Sequence, residues 1–286
     1  MAKKHGYVES TRPIVILDSG LGGAIVEKRF KEKYPHENTV LLIDNEFMPY
    51  GTKDKREVRN RIKKVMRKVE ELEPKALIIA CNTIDSLAMD VIFTTYPDLP
   101  TVQIVAPTSK KAVDVSKTKS IAVLATPNTI ESQSYLFNSA LYYPNTNVIG
   151  VACDDLASAI ENNENIKQTF IEETAGLKDE KFDTIVLGCT HYAKIRPLLK
   201  KTFGDVNIID STEVVVEAFS DILNRIILQP VNKIGTTEVL YTGEVDMDYL
   251  KKLYATVVPT RIDLNPAPKV KIEDEVEDII NTIISE

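Results

Sequence analysis

Two short stretches constrain this chain more than any others: Ile78-Ile79-Ala80-Cys81-Asn82-Thr83 and Val186-Leu187-Gly188-Cys189-Thr190-His191. Each begins as an aliphatic run of the kind that fills a strand buried in a parallel sheet. Each then stops at a small residue, a cysteine and hydrogen-bonding side chains. Open α/β sheets bind ligands at the carboxyl ends of their strands, so the pattern puts both cysteines at a site. A second pair of runs, Ile14 to Gly20 and Ile121 to Pro127, breaks into polar turns in the same way. Positions 18 and 81 are 63 apart, as are positions 126 and 189, which predicts two related α/β halves presenting two thiols to one cleft.

The remaining elements fit that plan. After the first strand, Asp18-Ser19-Gly20-Leu21-Gly22-Gly23 turns into a helix toward Tyr34. The turn has neither G-x-G-x-x-G nor the lysine of a phosphate loop, so nucleotide binding is a weak reading. Thr39 to Ile43 reads as a strand, Asp44 to Gly51 as a loop, and Lys55 to Leu72 as a helix with Val58, Ile62, Val65, Met66 and Val69 on one face. The third strand delivers Cys81, a helix runs from about Thr83 to Phe93, then come a strand over Thr101 to Val105 and a helix opened by Pro107. The second half repeats the scheme: strands over Lys119 to Leu124, Val148 to Cys153, Thr184 to Leu187 and Val206 to Asp210, with a helix start at Thr126-Pro127. A helix over Thr212 to Ile227 returns the chain to the first half, followed by a strand over Thr237 to Tyr241 and a helix over Asp246 to Tyr254.

The expected fold is therefore α/β, with two pseudo-symmetric three-layer domains, each built on a mainly parallel sheet, and an active site in the cleft between them. Residues 1–105 plus 212–286 form the Asp18 and Cys81 side, and 106–211 the Cys189 and His191 side. In the tail, Ile272, Val276, Ile279, Ile280, Ile283 and Ile284 make one helical stripe that is expected to pack on its own domain or a partner subunit.

A net charge of −7 argues against nucleic-acid binding through a generally basic surface. The basic start has no long apolar stretch behind it, and no segment reaches the roughly 18 apolar residues of a membrane span. A cytoplasmic protein is expected, in which the three cysteines stay reduced. Metal binding is disfavoured because His5 and His36 join no cluster, leaving only His191 beside Cys189. Cys153 reads as a small core residue.

Paired cleft thiols suit acid–base chemistry on two faces of one carbon acid: a thiolate removes a proton and a thiol returns one from the opposite side. A thiolate must come from a group whose ordinary pKa is about 8.5, so neighbours matter. Asp18 is the candidate to assist one cysteine and His191 the other. Ser19, Asn82, Thr83, Thr190 and backbone amides are placed to hold carboxylate and ammonium groups and to stabilise a developing carbanion.

Asp18 to Gly23, Pro49-Tyr50-Gly51, Ala80-Cys81-Asn82-Thr83 and Gly188-Cys189-Thr190-His191-Tyr192 together resemble the four signature segments of the glutamate racemase family, in that family's order. Tyr241-Thr242-Gly243-Glu244 resembles its C-terminal threonine-glycine segment, and the likeness spans roughly residues 12 to 264. The resemblance implies a racemase that needs no cofactor and no metal, with Cys81 and Cys189 as its two bases, Cys81 working on the D-enantiomer and Cys189 on the L-enantiomer. It implies a glutamate site lined by Asp18, Ser19, Tyr50, Gly51, Asn82, Thr83, Thr190 and His191. Thr126, which matches Asp18 by spacing, is a further substrate-binding candidate. Supply of D-glutamate for peptidoglycan, a bacterial cytoplasm, a homodimer, and no nucleic-acid or membrane partner complete the implication.

The chain departs from the pattern in three places. Asn45-Glu46-Phe47-Met48 replaces an arginine-containing stretch, and Asp154-Asp155-Leu156 replaces a proline and bulky residues after Cys153, leaving Glu161 as a secondary candidate. The tail after Asn265 is also longer. An aspartate or broad acidic amino-acid racemase uses the same cysteines, since one methylene is worth only about 1–3 kcal/mol of discrimination. A binding or regulatory protein that has lost turnover is the reading from another class.

Overall fold

The computed structural model of the 286-residue chain describes residues 10–246, 248, 250 and 262–266. Among the described residues ten strands form two sheets. The first contains β1 (Ile14–Asp18), β2 (Thr39–Ile43), β3 (Ala76–Ile79), β4 (Thr101–Val102), β9 (Thr237–Tyr241) and β10 (Ile262–Pro266), in the order β10-β9-β2-β1-β3-β4. The second contains β5 (Ser120–Ala125), β6 (Asn147–Ala152), β7 (Thr184–Gly188) and β8 (Asn207–Asp210), in the order β6-β5-β7-β8. Every pairing in both is parallel. Each half therefore repeats one strand order, with its first strand between its second and third and its fourth outside the third. β10 was not expected from the sequence.

Parallel strands need crossovers, and helices supply them. The first sheet carries α1 (Gly23–Lys33), α2 (Lys55–Glu71) and α3 (Asn82–Thr95), and α4 (Val105–Val115) leads to the second. There follow α5 (Pro127–Glu131), α6 (Ser134–Tyr142), α7 (Leu156–Asn162), α8 (Ile166–Glu173), α9 (Arg196–Phe203) and α10 (Ser211–Ala218). The predicted stripe of α2 is its buried face, and the Asp54 carboxylate caps the amides of Arg56 and Glu57. One apolar cluster runs through both halves: Ile14, Ile16 and Leu41 of the first sheet and Ile121, Val123 and Val186 of the second meet Phe30 of α1, Val113 of α4 and Val215 of α10. Phe30 is fully buried with Phe219 edge-on at 4.8 Å, so truncating it to alanine would cost roughly 3–5 kcal/mol.

The structure corrects three expectations. β4 ends at Val102, and α4 begins at Val105 with Pro107 inside its first turn. The reason is Asp85, whose carboxylate accepts the amides of Ile104 and Val105, each at 2.7 Å, and so fixes a helix start where a strand was expected. The helix predicted over Thr212 to Ile227 is α10 alone, followed by 3-10 turns over Phe219–Arg225. The ladders pair Leu17 with Ile79 and Leu124 with Leu187, so Ala125, not Thr126, holds the place of Asp18. Thr126 corresponds to Ser19, and the equal spacing is off by one residue. The predicted helix over Asp246 to Tyr254, save positions 246, 248 and 250, and the stripe of 269–286 lie outside the described residues.

Candidate active site

All eleven candidates from the sequence, Asp18, Ser19, Tyr50, Gly51, Cys81, Asn82, Thr83, Thr126, Cys189, Thr190 and His191, line one cavity. The carboxyl ends of the central strands of both sheets deliver them. Close backbone approach makes this possible. A side chain at Gly22 would put its Cβ 2.0 Å from Thr190 Oγ1, and one at Gly51 would sit 2.4 Å from Thr126 Cβ.

On the first wall, Cys81 precedes α3 and is 6% exposed, with its Sγ 3.3 Å from Ser19 Oγ. Asp18 is buried beside it. One carboxylate oxygen accepts the Ser19 amide at 2.8 Å, and the other accepts the Thr190 hydroxyl at 3.0 Å, tying the two halves together. Burial raises the Asp18 pKa to about 6 against the opposing pull of His191 and these hydrogen bonds. Burial, helped by the charge of Asp18, pushes the Cys81 thiol up to about 12.

The second wall is built differently. Cys189 follows β7 and is partly exposed, and its Sγ lies 3.6 Å from His191 Nδ1. His191 Nε2 lies 3.0 Å from Glu161 Oε2, an ion-pair distance without hydrogen-bond alignment. Burial alone would lower the His191 pKa. Its contacts with Cys189 and Glu161, and their charges, lift it well above the usual imidazole range. One wall thus holds a thiol that burial keeps neutral beside a carboxyl, and the other a thiol beside an imidazole whose hold on a proton its neighbours strengthen.

The seam between the halves is made of hydroxyls. Thr83 Oγ1 meets Thr126 Oγ1 at 2.9 Å, and Thr126 meets Thr129 at 3.0 Å. Asn82 spends its side chain on the scaffold, accepting from the Tyr135 hydroxyl at 2.6 Å and donating to Ser211 at 3.3 Å. The Tyr50 hydroxyl donates to Asp44, behind the cavity wall. His191 is the sole basic side chain among the described residues lining the cavity, so anionic groups there meet hydroxyls and the amide-rich starts of α3 and the 190–195 turn.

Sequence reasoning underweighted Glu161 and missed Met48, Ala157 and Ser158, which also line the cavity. The signal for three of them was present: positions 157, 158 and 161 share one face of α7. Met48 belongs to the loop that departs from the family pattern, and nothing local marks it.

The model of the Asp/Glu/Hydantoin racemase family matches residues 24–219. A glutamate racemase of Levilactobacillus brevis is 31% identical over 263 residues, covering 90% of this chain and 93% of the relative. One of Lactobacillus helveticus is 33% identical over 240 residues, covering 82% and 90%. Among solved structures, a glutamate racemase isoform from Bacillus anthracis superposes with a TM-score of 0.82 at 26% identity, covering 91% of this chain and 98% of the other.

Proposed function

We propose that this chain, which belongs to the Asp/Glu/Hydantoin racemase family, interconverts L-glutamate and D-glutamate without a cofactor by moving a proton at Cα between Cys81 and Cys189. The observation that carries the reading is the pair of thiols in one cavity, Cys81 with its sulfur 3.3 Å from Ser19 Oγ and Cys189 with its sulfur 3.6 Å from His191 Nδ1. Relatives named glutamate racemase support the substrate.

In the direction from L-glutamate, Cys189 gives its proton to His191, whose imidazolium the Glu161 carboxylate stabilises, and the resulting thiolate takes the Cα proton. Cys81 delivers its proton to the opposite face. In the direction from D-glutamate the roles exchange, and Asp18 is the acceptor for the Cys81 proton. With a pKa of about 12, ionising Cys81 at pH 7 in the empty site costs roughly 7 kcal/mol. A substrate ammonium about 4 Å away returns about 4 kcal/mol at an effective dielectric of 20. The substrate therefore supplies much of the activation of its own base. The carboxylates rest on Ser19, Thr83, Thr126 and Thr190.

Residues 1–105 with 212–286 form one domain in this reading and 106–211 the other. The reading extends to a cytoplasmic homodimer supplying D-glutamate for peptidoglycan, supported by the family resemblance of the motifs. Among the described residues no helix is long and apolar enough to cross a membrane.

The test is optical rotation together with uptake of solvent deuterium at Cα, using purified protein, D- or L-glutamate, aspartate in parallel and no added cofactor. Loss of rotation with exchange on glutamate is the expected result. Activity on aspartate alone would transfer the assignment to that amino acid, and no exchange on either by folded, reduced protein would end the racemase reading.

A further inference from the structure

Asp44 follows β2 and is 1% exposed, and its amide donates to the carbonyl of Asp18 at 3.0 Å. Four donors converge on its carboxylate. Arg61 reaches from α2 with Nε on Oδ2 at 2.7 Å and Nη2 on Oδ1 at 2.5 Å. The Thr242 hydroxyl, at the end of β9, donates to Oδ1 at 2.6 Å, and the Tyr50 hydroxyl donates to Oδ2. A carboxylate offers about four acceptor positions, so this one is saturated. The Arg61 guanidinium also covers the Phe47 ring at 5.6 Å, and Phe47 packs edge-on against Tyr50 at 5.3 Å.

The backbone at the other end of Tyr50 is fixed by the second half. Asn128 Nδ2 donates to the Tyr50 carbonyl at 2.9 Å and to the Lys53 carbonyl at 2.8 Å, while Gly51 abuts Thr126. Tyr50, which lines the cavity, thus spans from a carboxylate at the end of β2, itself not among the lining residues, to a helix of the second half.

We propose that Asp44, held by Arg61 and Thr242, is a positioning residue that fixes the Tyr50–Gly51 wall through the Tyr50 hydroxyl and so sets how tightly the site holds its substrate. Its kinetic consequence rests on the racemase reading above; its structural consequence does not. Burial would raise the Asp44 carboxyl, but its bonds to Arg61, Thr242 and Tyr50 hold it below the usual carboxylate range, so it stays ionised as the wall's acceptor. The sequence departs from the family pattern in this same loop, where Phe47 and Met48 stand, and Arg61 brings its guanidinium there from a neighbouring helix.

Tyr50→Phe removes the hydroxyl alone, and Arg61→Met removes the clamp on Asp44. Each is expected to raise the KM for glutamate about 10-fold or more, since Tyr50→Phe loses one hydrogen bond to a charged group and Arg61→Met loses two, with kcat changed far less. Because both act through one carboxylate, the double variant should be little worse than the worse single one. Arg61→Lys should recover part of the loss. Arg59→Met, on the same helix but paired with Asp90 outside the network, should leave KM unchanged. Hydrogen exchange at the amides of residues 50–53 should quicken in Tyr50→Phe and Arg61→Met and not in Arg59→Met. Unchanged KM and exchange in folded Tyr50→Phe, or additive losses in the double variant, would overturn the proposal. Cα exchange by the wild type judges the racemase reading separately. If it is absent, the amide-exchange comparison alone decides the positioning role.

Discussion

The two walls predict unequal thiol reactivity in the empty site, and alkylation measures it. Burial pushes the Cys81 thiol up to about 12, about three pH units above an ordinary thiol. At pH 8 its thiolate fraction is about 1000-fold below that of a free thiol by that difference alone. A more basic thiolate is intrinsically more nucleophilic, with a Brønsted slope of about 0.4–0.5, which returns roughly 20-fold. Cys81 should therefore react about 50-fold more slowly than an unperturbed thiol, before its burial adds any steric hindrance. Cys189 is partly exposed beside His191 and should be modified first, whereas Cys153, fully buried and with its thiol also pushed up by burial, should stay silent. The assay is a timed pulse of iodoacetamide on native protein, followed by digestion and mass spectrometry of the three cysteine peptides. Asp18→Asn should quicken Cys81 by removing the second contributor to its rise, yet leave it slow because burial is the first. Labelling of Cys81 as fast as Cys189 in folded protein would refute the electrostatic reasoning for both walls.

Other outcomes follow from the same geometry. Glu161→Gln removes the charge facing His191 Nε2 and should cut kcat from L-glutamate by about 10–100-fold, with the alkaline limb of its pH profile moving to lower pH. Cys81→Ala or Cys189→Ala should each abolish racemisation in the polarimetric assay while thermal melting still shows a folded protein. Asp85 has its folded pKa raised by burial to about 6 from 3.8, so the native state binds the extra proton and this residue's contribution to stability falls as pH rises from about 4 to 6. Asp85→Asn should flatten that slope by roughly 3 kcal/mol in urea titrations at pH 4 and pH 7.

The parts of this fold that were legible in the sequence are those written locally. The aliphatic runs ending in Cys81 and Cys189 mark buried parallel strands because a strand covered on both faces has no need of polar alternation. The glycines and hydroxyls that follow mark the strand ends, and all eleven candidates reach one cavity. What was not legible depends on partners distant in the chain. Asp85 ends β4 early by accepting amides 19 and 20 residues away. Glu161 meets His191 only because α7 lies across the second sheet, and Arg61 meets Asp44 only because α2 folds back over the loop. The offset that equated Thr126 with Asp18 arose because spacing counts residues, while a strand ladder counts hydrogen-bond partners.

The order of the strands also dictates how the molecule bears load. The chain leaves the six-stranded sheet through α4, builds the whole four-stranded sheet, and comes back through α10 to lay β9 beside β2. Handles at Ser10 and Val245 would therefore pull on β1 and β9, which both belong to the six-stranded sheet and flank β2. The four-stranded sheet is looped out of that force path. In an optical trap it should carry no tension until the first sheet has ruptured, giving two separate rips. Chain extension in the first would fall short of the full contour by the length spanned from β5 to β8.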